Sequence, residues 1–122
     1  MADNKQYITQ VQDNGRVMIS ESVISTIVFQ ALNDIEGYVG LSAKAGSDIV
    51  ELLGKKNWGK GIKVNISEND ELCIDCNVVI SYGQSVVNVA TAIQEAVVAA
   101  LQSMAGVTAV NVNVNVCGIV RQ

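Results

Sequence analysis

Residues 72–120 read LCIDCNVVISYGQSVVNVATAIQEAVVAALQSMAGVTAVNVNVNVCGIV, and two changes of hydrophobic period divide this segment into three parts. The first eleven residues alternate between apolar and mostly polar side chains, which predicts a strand. Ser85 stands at an N-cap position, and apolar residues then recur with the helical period up to Gly106, which predicts a helix over this interval. After Gly106 the period returns to two, which predicts a strand with valines on one face and Asn111, Asn113 and Asn115 on the other.

The first half of the chain predicts a similar succession of elements. Residues 15–19 alternate as a short strand, and 7–11 are compatible with a preceding strand joined to it by a turn at Asn14 and Gly15. Ser20 is placed to cap a helix whose apolar stripe runs to Ile35 and which Gly37 is expected to close. Residues 40–61 form a long connection, in which 48–53 could make one or two helical turns.

A hairpin is predicted next, because 62–66 alternate and Asn69-Asp70 forms a good turn before the strand that begins at Leu72. The predicted order is therefore strand, helix, strand, strand, helix, strand. This order indicates an α+β fold with a split β-α-β-β-α-β arrangement: a mostly antiparallel sheet, two helices on one face and a polar opposite face. At 122 residues the chain is expected to be one domain, 1–122, with residues 1–6 flexible.

Composition narrows the classes of function. A net charge of −4 argues against a DNA-binding protein, because neutralising phosphates requires a basic surface. The sequence predicts neither a secretion signal nor a membrane-spanning run, and three cysteines, an odd number, suggest reduced thiols in a cytoplasmic protein. Cys73 and Cys76 form a C-x-x-C pair, but residues three apart on a strand point to opposite faces. Without histidine, no metal site and no cofactor are predicted.

The segment GKKNWGKG at 54–61 resembles the start of a phosphate-binding loop. Such a loop follows a strand and opens a helix, whereas this one precedes the predicted strand at 62–66, and Gly61 stands where a hydroxyl residue is needed to hold magnesium. A nucleotide enzyme is therefore not predicted. The segment remains a candidate docking patch for an acidic protein, an anionic lipid or RNA. The residues that form this basic patch are Lys55, Lys56, Trp58 and Lys60.

Candidate catalytic residues are scarce. The carboxylates cluster at a predicted helix end and a predicted turn, where solubility and turn formation account for them. Cys117 has no histidine or obvious basic partner that would activate its thiol. A non-enzymatic protein is predicted.

The second half of the chain is unusually poor in charge. Only Asp75, Glu95 and Arg121 are charged among the 51 residues from 72 to 122. Charge depletion is a compositional signal of interfaces. Phe29, Val87 and Val98 lie off the predicted core stripes of their helices and are expected to be exposed. The row of asparagines could also form amide ladders between stacked sheets, and a homo-oligomer is predicted.

Three stretches resemble the alkaline shock protein family, the envelope stress response family of Gram-positive bacteria. They are GRVMISESVISTIVFQALNDIEGYVGLS at 15–42, ELLGKKNWGKGIKVNI at 51–66, and the segment 78–119. The resemblance implies a small cytoplasmic α/β protein without known catalysis or cofactor. It also implies higher oligomers, and attachment at the inner face of the cell membrane through a small membrane anchor protein.

Together these observations predict a non-enzymatic envelope or alkaline stress response protein that self-associates and docks on a membrane-anchored partner. The residues expected to contact partners are Phe29, Lys55, Lys56, Trp58, Lys60, Val87 and Val98. The alternative is a small regulatory module that recognises an anionic ligand or RNA through residues 54–63.

Overall fold

The computed structural model describes residues 6–42 and 58–121, with Trp58 described by its backbone alone. Three expectations concern residues that lie wholly or mostly outside these ranges. They are the helical turns at 48–53, the flexibility of residues 1–6, and the contacts of the Lys55 and Lys56 side chains. A short 3₁₀ helix, Trp58–Gly61, precedes β4. The remaining elements are β1 Tyr7–Gln12, β2 Gly15–Ser20, α1 Glu21–Leu32, β3 Tyr38–Leu41, β4 Ile62–Ile66, β5 Leu72–Ser81, α2 Val86–Ala105 and β6 Ala109–Val120.

β5 is the central strand of a mixed sheet. β6 runs parallel along one edge of β5, because α2 carries the chain back across the sheet before β6 begins. Along the other edge, β4 pairs antiparallel with the first half of β5, and β3 pairs antiparallel with residues 78–80. The two short strands thus lie end to end, and the α+β prediction with its predicted 62–81 hairpin is confirmed.

The strand predicted at 15–19 exists as β2, but it does not join this sheet. β1 and β2 form a separate antiparallel hairpin through the predicted turn. β3 lies beside β5 instead, and this strand was not predicted because YVGL is too short to show a period. Ile8 packs into the core, and the side-chain amide of Gln10 donates to the carbonyl oxygens of Ala105 and Gly106 at 3.2 and 2.8 Å. These contacts fasten the hairpin to the end of α2.

The predicted helix caps are present. The Ser20 and Ser85 hydroxyls accept hydrogen bonds from the backbone N–H groups three residues later, each at 3.3 Å. Gly106 adopts the left-handed conformation, with φ 67°, and ends α2 as expected. α1 is shorter than predicted: it ends at Leu32, since the chain must turn over 33–37 to enter β3, and Gly37 lies in that turn rather than at the cap.

Both helices cover one face of the sheet. Their buried stripes pack on the inward side chains of β4, β5 and β6, in one continuous core. The inward residues of β5 are Leu72, Ile74, Cys76, Val78 and Ile80. The opposite face, which we call the outer face, is mainly polar as expected; Val79 is an exception, since it is fully buried and stands outside this core.

α2 is long and apolar enough to cross a bilayer by length and composition, with 20 residues and a mean hydropathy of 1.3. In this fold it is a core helix. Val89, Ile93, Val97 and Leu101 are its buried residues. The same helix leaves a second, uncharged side exposed, and that side contributes to the surface described next.

Candidate interaction surface

β6 contains a flat stretch, residues 111–116, that lies between two irregularities. Its register with β5 slips once at Val110 and again at Cys117, so each of these residues is an extra residue without a partner on β5. Between them, residues 111–116 pair one for one with residues 73–78. Bulges twist a strand and interrupt its edge, so the flat stretch is the longest regular part of this edge.

An asparagine ladder crosses from β6 to β5 on the outer face. The Asn113 side-chain amide donates to Asp75 Oδ1 at 2.9 Å, and the Asn115 amide donates to Asn77 Oδ1 at 3.0 Å. Asn111 Nδ2 lies 3.8 Å from Cys73 Sγ and makes a weaker contact of the same kind. All three side-chain amides therefore donate along the outer face to residues of β5. Their side-chain oxygens accept no hydrogen bond from any residue in 6–42 or 58–121.

The edge of β6 that faces away from β5 pairs with no other strand in the described part of the chain. α2 runs beside this strand. The side-chain amide of Gln94 donates to the carbonyl oxygen of Val112 at 2.9 Å, and that of Gln102 donates to the Thr108 hydroxyl, just before β6, at 3.5 Å. These two bonds show which side of α2 faces the β6 segment.

That side of α2 is a strip of uncharged residues with Glu95 at its margin, which we call the outer stripe. Residues spaced three, four or eleven apart share one side of a helix, and Val87, Thr91, Gln94, Val98 and Gln102 follow this spacing. Val98, Gln94 and Gln102 also line a shallow cavity of about 350 Å³ together with Ala99 and Glu95. The flat stretch and the outer stripe together form what we call the α2–β6 surface.

A second apolar cluster, the end patch, lies where β5 ends, α2 begins and β6 ends. The Tyr82 ring is 63% exposed, and the guanidinium carbon of Arg121 lies 4.7 Å from its centroid. Val87 is 71% exposed and Ile119 49% exposed. Val87 is predicted from the sequence, whereas Tyr82 and Ile119 are not, because only the parallel pairing of β5 and β6 brings the ends of these strands together.

The predicted contact residues do not form a single patch. Val87 is exposed as expected, but the exposure expected for Phe29 and Val98 is wrong: both are half-buried and pack against the core. The apolar stripe of a helix in a globular protein spans 100° or more, so side chains at its flank still reach the core. Val87 and Val98 share the outer stripe, whereas Phe29 belongs to α1.

Lys60 is exposed in the 3₁₀ helix that leads into β4. Because β4 and β6 pair with opposite edges of β5, Lys60 and the flat stretch lie near opposite lateral edges of the sheet. Lys55, Lys56 and the Trp58 side chain lie outside the described residues. Lys60 is therefore a separate candidate from the α2–β6 surface.

The thiols are placed as predicted, on opposite faces of β5. Cys76 is buried in the core, while Cys73 is half-exposed on the outer face. Burial, and to a lesser degree the Asp75 carboxylate, raise the pKa of the Cys76 thiol to about 12. Burial also raises the pKa of Cys117. Within 6–42 and 58–121, no group of three histidine, cysteine or acidic side chains could hold a metal ion.

Comparison with known proteins places this architecture in a family. The model of the alkaline shock protein 23 family, described as having a cell envelope-related function, matches residues 9–121. The chain is 31% identical over 121 residues to uncharacterized protein YqhY of Bacillus subtilis, a match that covers 98% of this chain and 89% of that protein. It is 36% identical over 108 residues to uncharacterized protein Spy1614 of Streptococcus pyogenes, covering 87% and 88%. No solved structure gives a significant match.

Proposed function

Because this chain belongs to the alkaline shock protein family, whose function is cell envelope-related, we propose that it is a non-enzymatic scaffold of the envelope stress response. In this proposal the protein is cytoplasmic, assembles with itself, and docks at the inner face of the cell membrane on a small membrane-anchored protein.

The α2–β6 surface is the observation that carries the proposal. β6 is a twelve-residue strand with no charged side chain, at an edge of the sheet to which no other described strand is added. Proteins that remain monomeric usually protect such edges with charges, proline or very short strands. This edge is interrupted by bulges only on either side of the flat stretch, and the residues of the adjoining outer stripe are uncharged, with Glu95 at its margin. Both features favour association over exposure to water.

The end patch is the better candidate for the membrane-anchored partner. It combines exposed apolar side chains with a single cation, Arg121, which lies against the Tyr82 ring. Tyrosine and arginine are among the residue types that supply much of the binding energy in protein interfaces. We propose that a cytoplasmic segment of the anchor protein covers Tyr82 and Val87.

A non-catalytic role fits the electrostatics of the described residues. The groups whose pKa is clearly displaced are thiols and a phenol, and in each case the pKa is raised, which keeps the group protonated and unreactive. Catalytic nucleophiles require the opposite displacement.

The test has two parts, one for each contact. Light scattering of the purified chain from 1 to 100 µM should give a mass above that of the monomer; a monomeric mass throughout would refute self-association. Capture from native cells with the membrane preserved should recover a small membrane protein, and Val87→Glu should lose it while Ser103→Glu, an exposed position of α2 outside both proposed surfaces, retains it. Equal recovery by both variants would refute the end patch as the docking site.

Replacing Lys55, Lys56 and Lys60 with glutamate separates this proposal from the anionic-ligand alternative. Loss of binding to RNA or to anionic vesicles, with the oligomer and the captured membrane protein unchanged, would favour the alternative. The scaffold proposal expects no RNA binding by the unmodified chain.

A further inference from the structure

We infer that two copies of this chain pair through the flat stretch of β6, antiparallel and edge to edge, with the two-fold axis at Asn113. This inference rests on the proposed self-association and adds its interface and register. The occupant of the β6 edge is thus a second copy of the same strand.

The edge itself favours a second copy over an unrelated strand. Residues 111–116 carry no charge, so antiparallel self-pairing brings no like charges face to face. The bulges at Val110 and Cys117 limit regular pairing to the stretch between them. A symmetric pair with its axis at Asn113 uses residues 111–115 of that stretch, and Val116 then meets Val110, where the other strand becomes irregular.

Symmetry then determines which side chains meet. In an antiparallel pair, residues directly opposite each other point to the same face of the sheet. A two-fold axis perpendicular to the sheet keeps both helical layers on one face, and it places asparagines opposite asparagines and valines opposite valines. The resulting eight-stranded sheet would have one continuous helical side and one continuous outer face.

The asparagines select the register. With the axis at Asn113, this residue lies opposite Asn113 of the other copy. Asn111 of each copy lies opposite Asn115 of the other. Shifting the axis by one residue leaves one asparagine of each strand opposite Ala109 or Cys117 instead. Because all three amides donate inward to β5, their side-chain oxygens and second N–H groups are available to continue the ladder across the new junction.

α2 is positioned to strengthen the same contact. The Gln94 bond to Val112 places this part of the outer stripe beside the centre of the flat stretch. In the symmetric pair the two α2 helices run antiparallel to each other on either side of the axis. Val98, one helical turn after Gln94, would then face the other copy. The Val112 carbonyl has a second lone pair, so it can keep Gln94 as a partner while accepting from the new strand.

Disulfide trapping tests the register. In a Cys73→Ser, Cys117→Ser background, Asn113→Cys should form a covalent dimer under mild oxidation, because opposed Cα atoms lie about 4.5–5.5 Å apart, within the disulfide range. Asn111→Cys is the matched control: its own counterpart is four residues further along, about 14 Å away, and should not cross-link. Mixing Asn111→Cys with Asn115→Cys chains should give the mixed disulfide. Cross-linking of Asn111→Cys alone would overturn the register.

A charge variant tests the interface without cysteine chemistry. Asn113→Lys should weaken the dimer about fivefold or more, because two lysines would meet at the axis, although within one copy the new ammonium can pair with Asp75. Asn77→Lys is the control, since it also loses one ladder bond but lies on the central strand. Thermal unfolding of both variants verifies that they fold.

The outcomes distinguish this inference from the proposed function. An oligomeric unmodified chain whose Asn113→Cys variant does not cross-link, or whose Asn113→Lys variant retains its mass, would refute the β6 interface and leave self-association standing. A monomeric unmodified chain at all concentrations would refute both.

Discussion

Alkaline pH should destabilise this protein through its buried thiol. Cys76 lies in the core between the sheet and the helices, and its pKa is raised from 9.0 to about 12, mainly because burial disfavours the thiolate. The folded state therefore retains a proton that the unfolded chain releases above pH 9. The contribution of the Cys76 thiol to the free energy of unfolding is fully present below pH 9, and it is lost progressively as the pH rises toward 12.

The size of the loss follows from the two pKa values. Each pH unit above the unfolded value costs about 1.4 kcal/mol, so from pH 9 to pH 11 Cys76 alone should reduce the free energy of unfolding by about 3 kcal/mol. Tyr38, whose pKa is also raised to about 12, chiefly by burial, adds a loss above its ordinary value of 10.0. That second loss is smaller, because the phenol is partly exposed and screened by solvent.

Urea unfolding at pH 8, 9, 10 and 11 and constant ionic strength, with reductant present, measures this effect. Cys76→Val keeps a small apolar side chain in the core and should remove most of the pH dependence, at a cost below about 1.5 kcal/mol at pH 8. Cys73→Val on the outer face of β5 is the matched control and should retain the dependence. Parallel loss of stability in the unmodified chain and in Cys76→Val would refute the reasoning.

Two further predictions concern packing at the ends of α2. Gly37→Ala should lower the free energy of unfolding by about 2 kcal/mol or more, because φ is 94° and the added Cβ would lie 2.8 Å from Val89 Cγ2. Gly59→Ala is the control, since the space at its Cβ position is open. In urea unfolding this control should behave like the unmodified chain. Gln10→Ala should lower the free energy of unfolding by about 1 kcal/mol and increase hydrogen exchange in β1 and β2, because it removes both hydrogen bonds to the end of α2. Gln12→Ala, at the exposed end of the hairpin, is the control. Equal exchange in the two variants would contradict the role of Gln10.

The residues expected at the functional surface were only partly predictable. The sequence indicated that the charge-poor second half is a contact region and identified Val87, which the structure shows to be exposed. It did not indicate that Val98 packs against the core, because the width of a buried stripe depends on how many elements surround the helix. It also could not identify the end patch, whose members come from three elements.

Local chemistry in the sequence determined both helices, their serine caps, the left-handed end of α2 at Gly106 and the turn between β4 and β5. Each of these depends on residues within a few positions of one another, so period and capping are sufficient to predict them. Only the tertiary structure decided that β1 and β2 form a separate hairpin, that β3 takes the place beside β5, and that bulges isolate the flat stretch with its asparagines opposite Cys73, Asp75 and Asn77. The physical reason is that strand pairing and register depend on contacts between distant segments, which compete for the same edges, and no local pattern records the outcome of that competition.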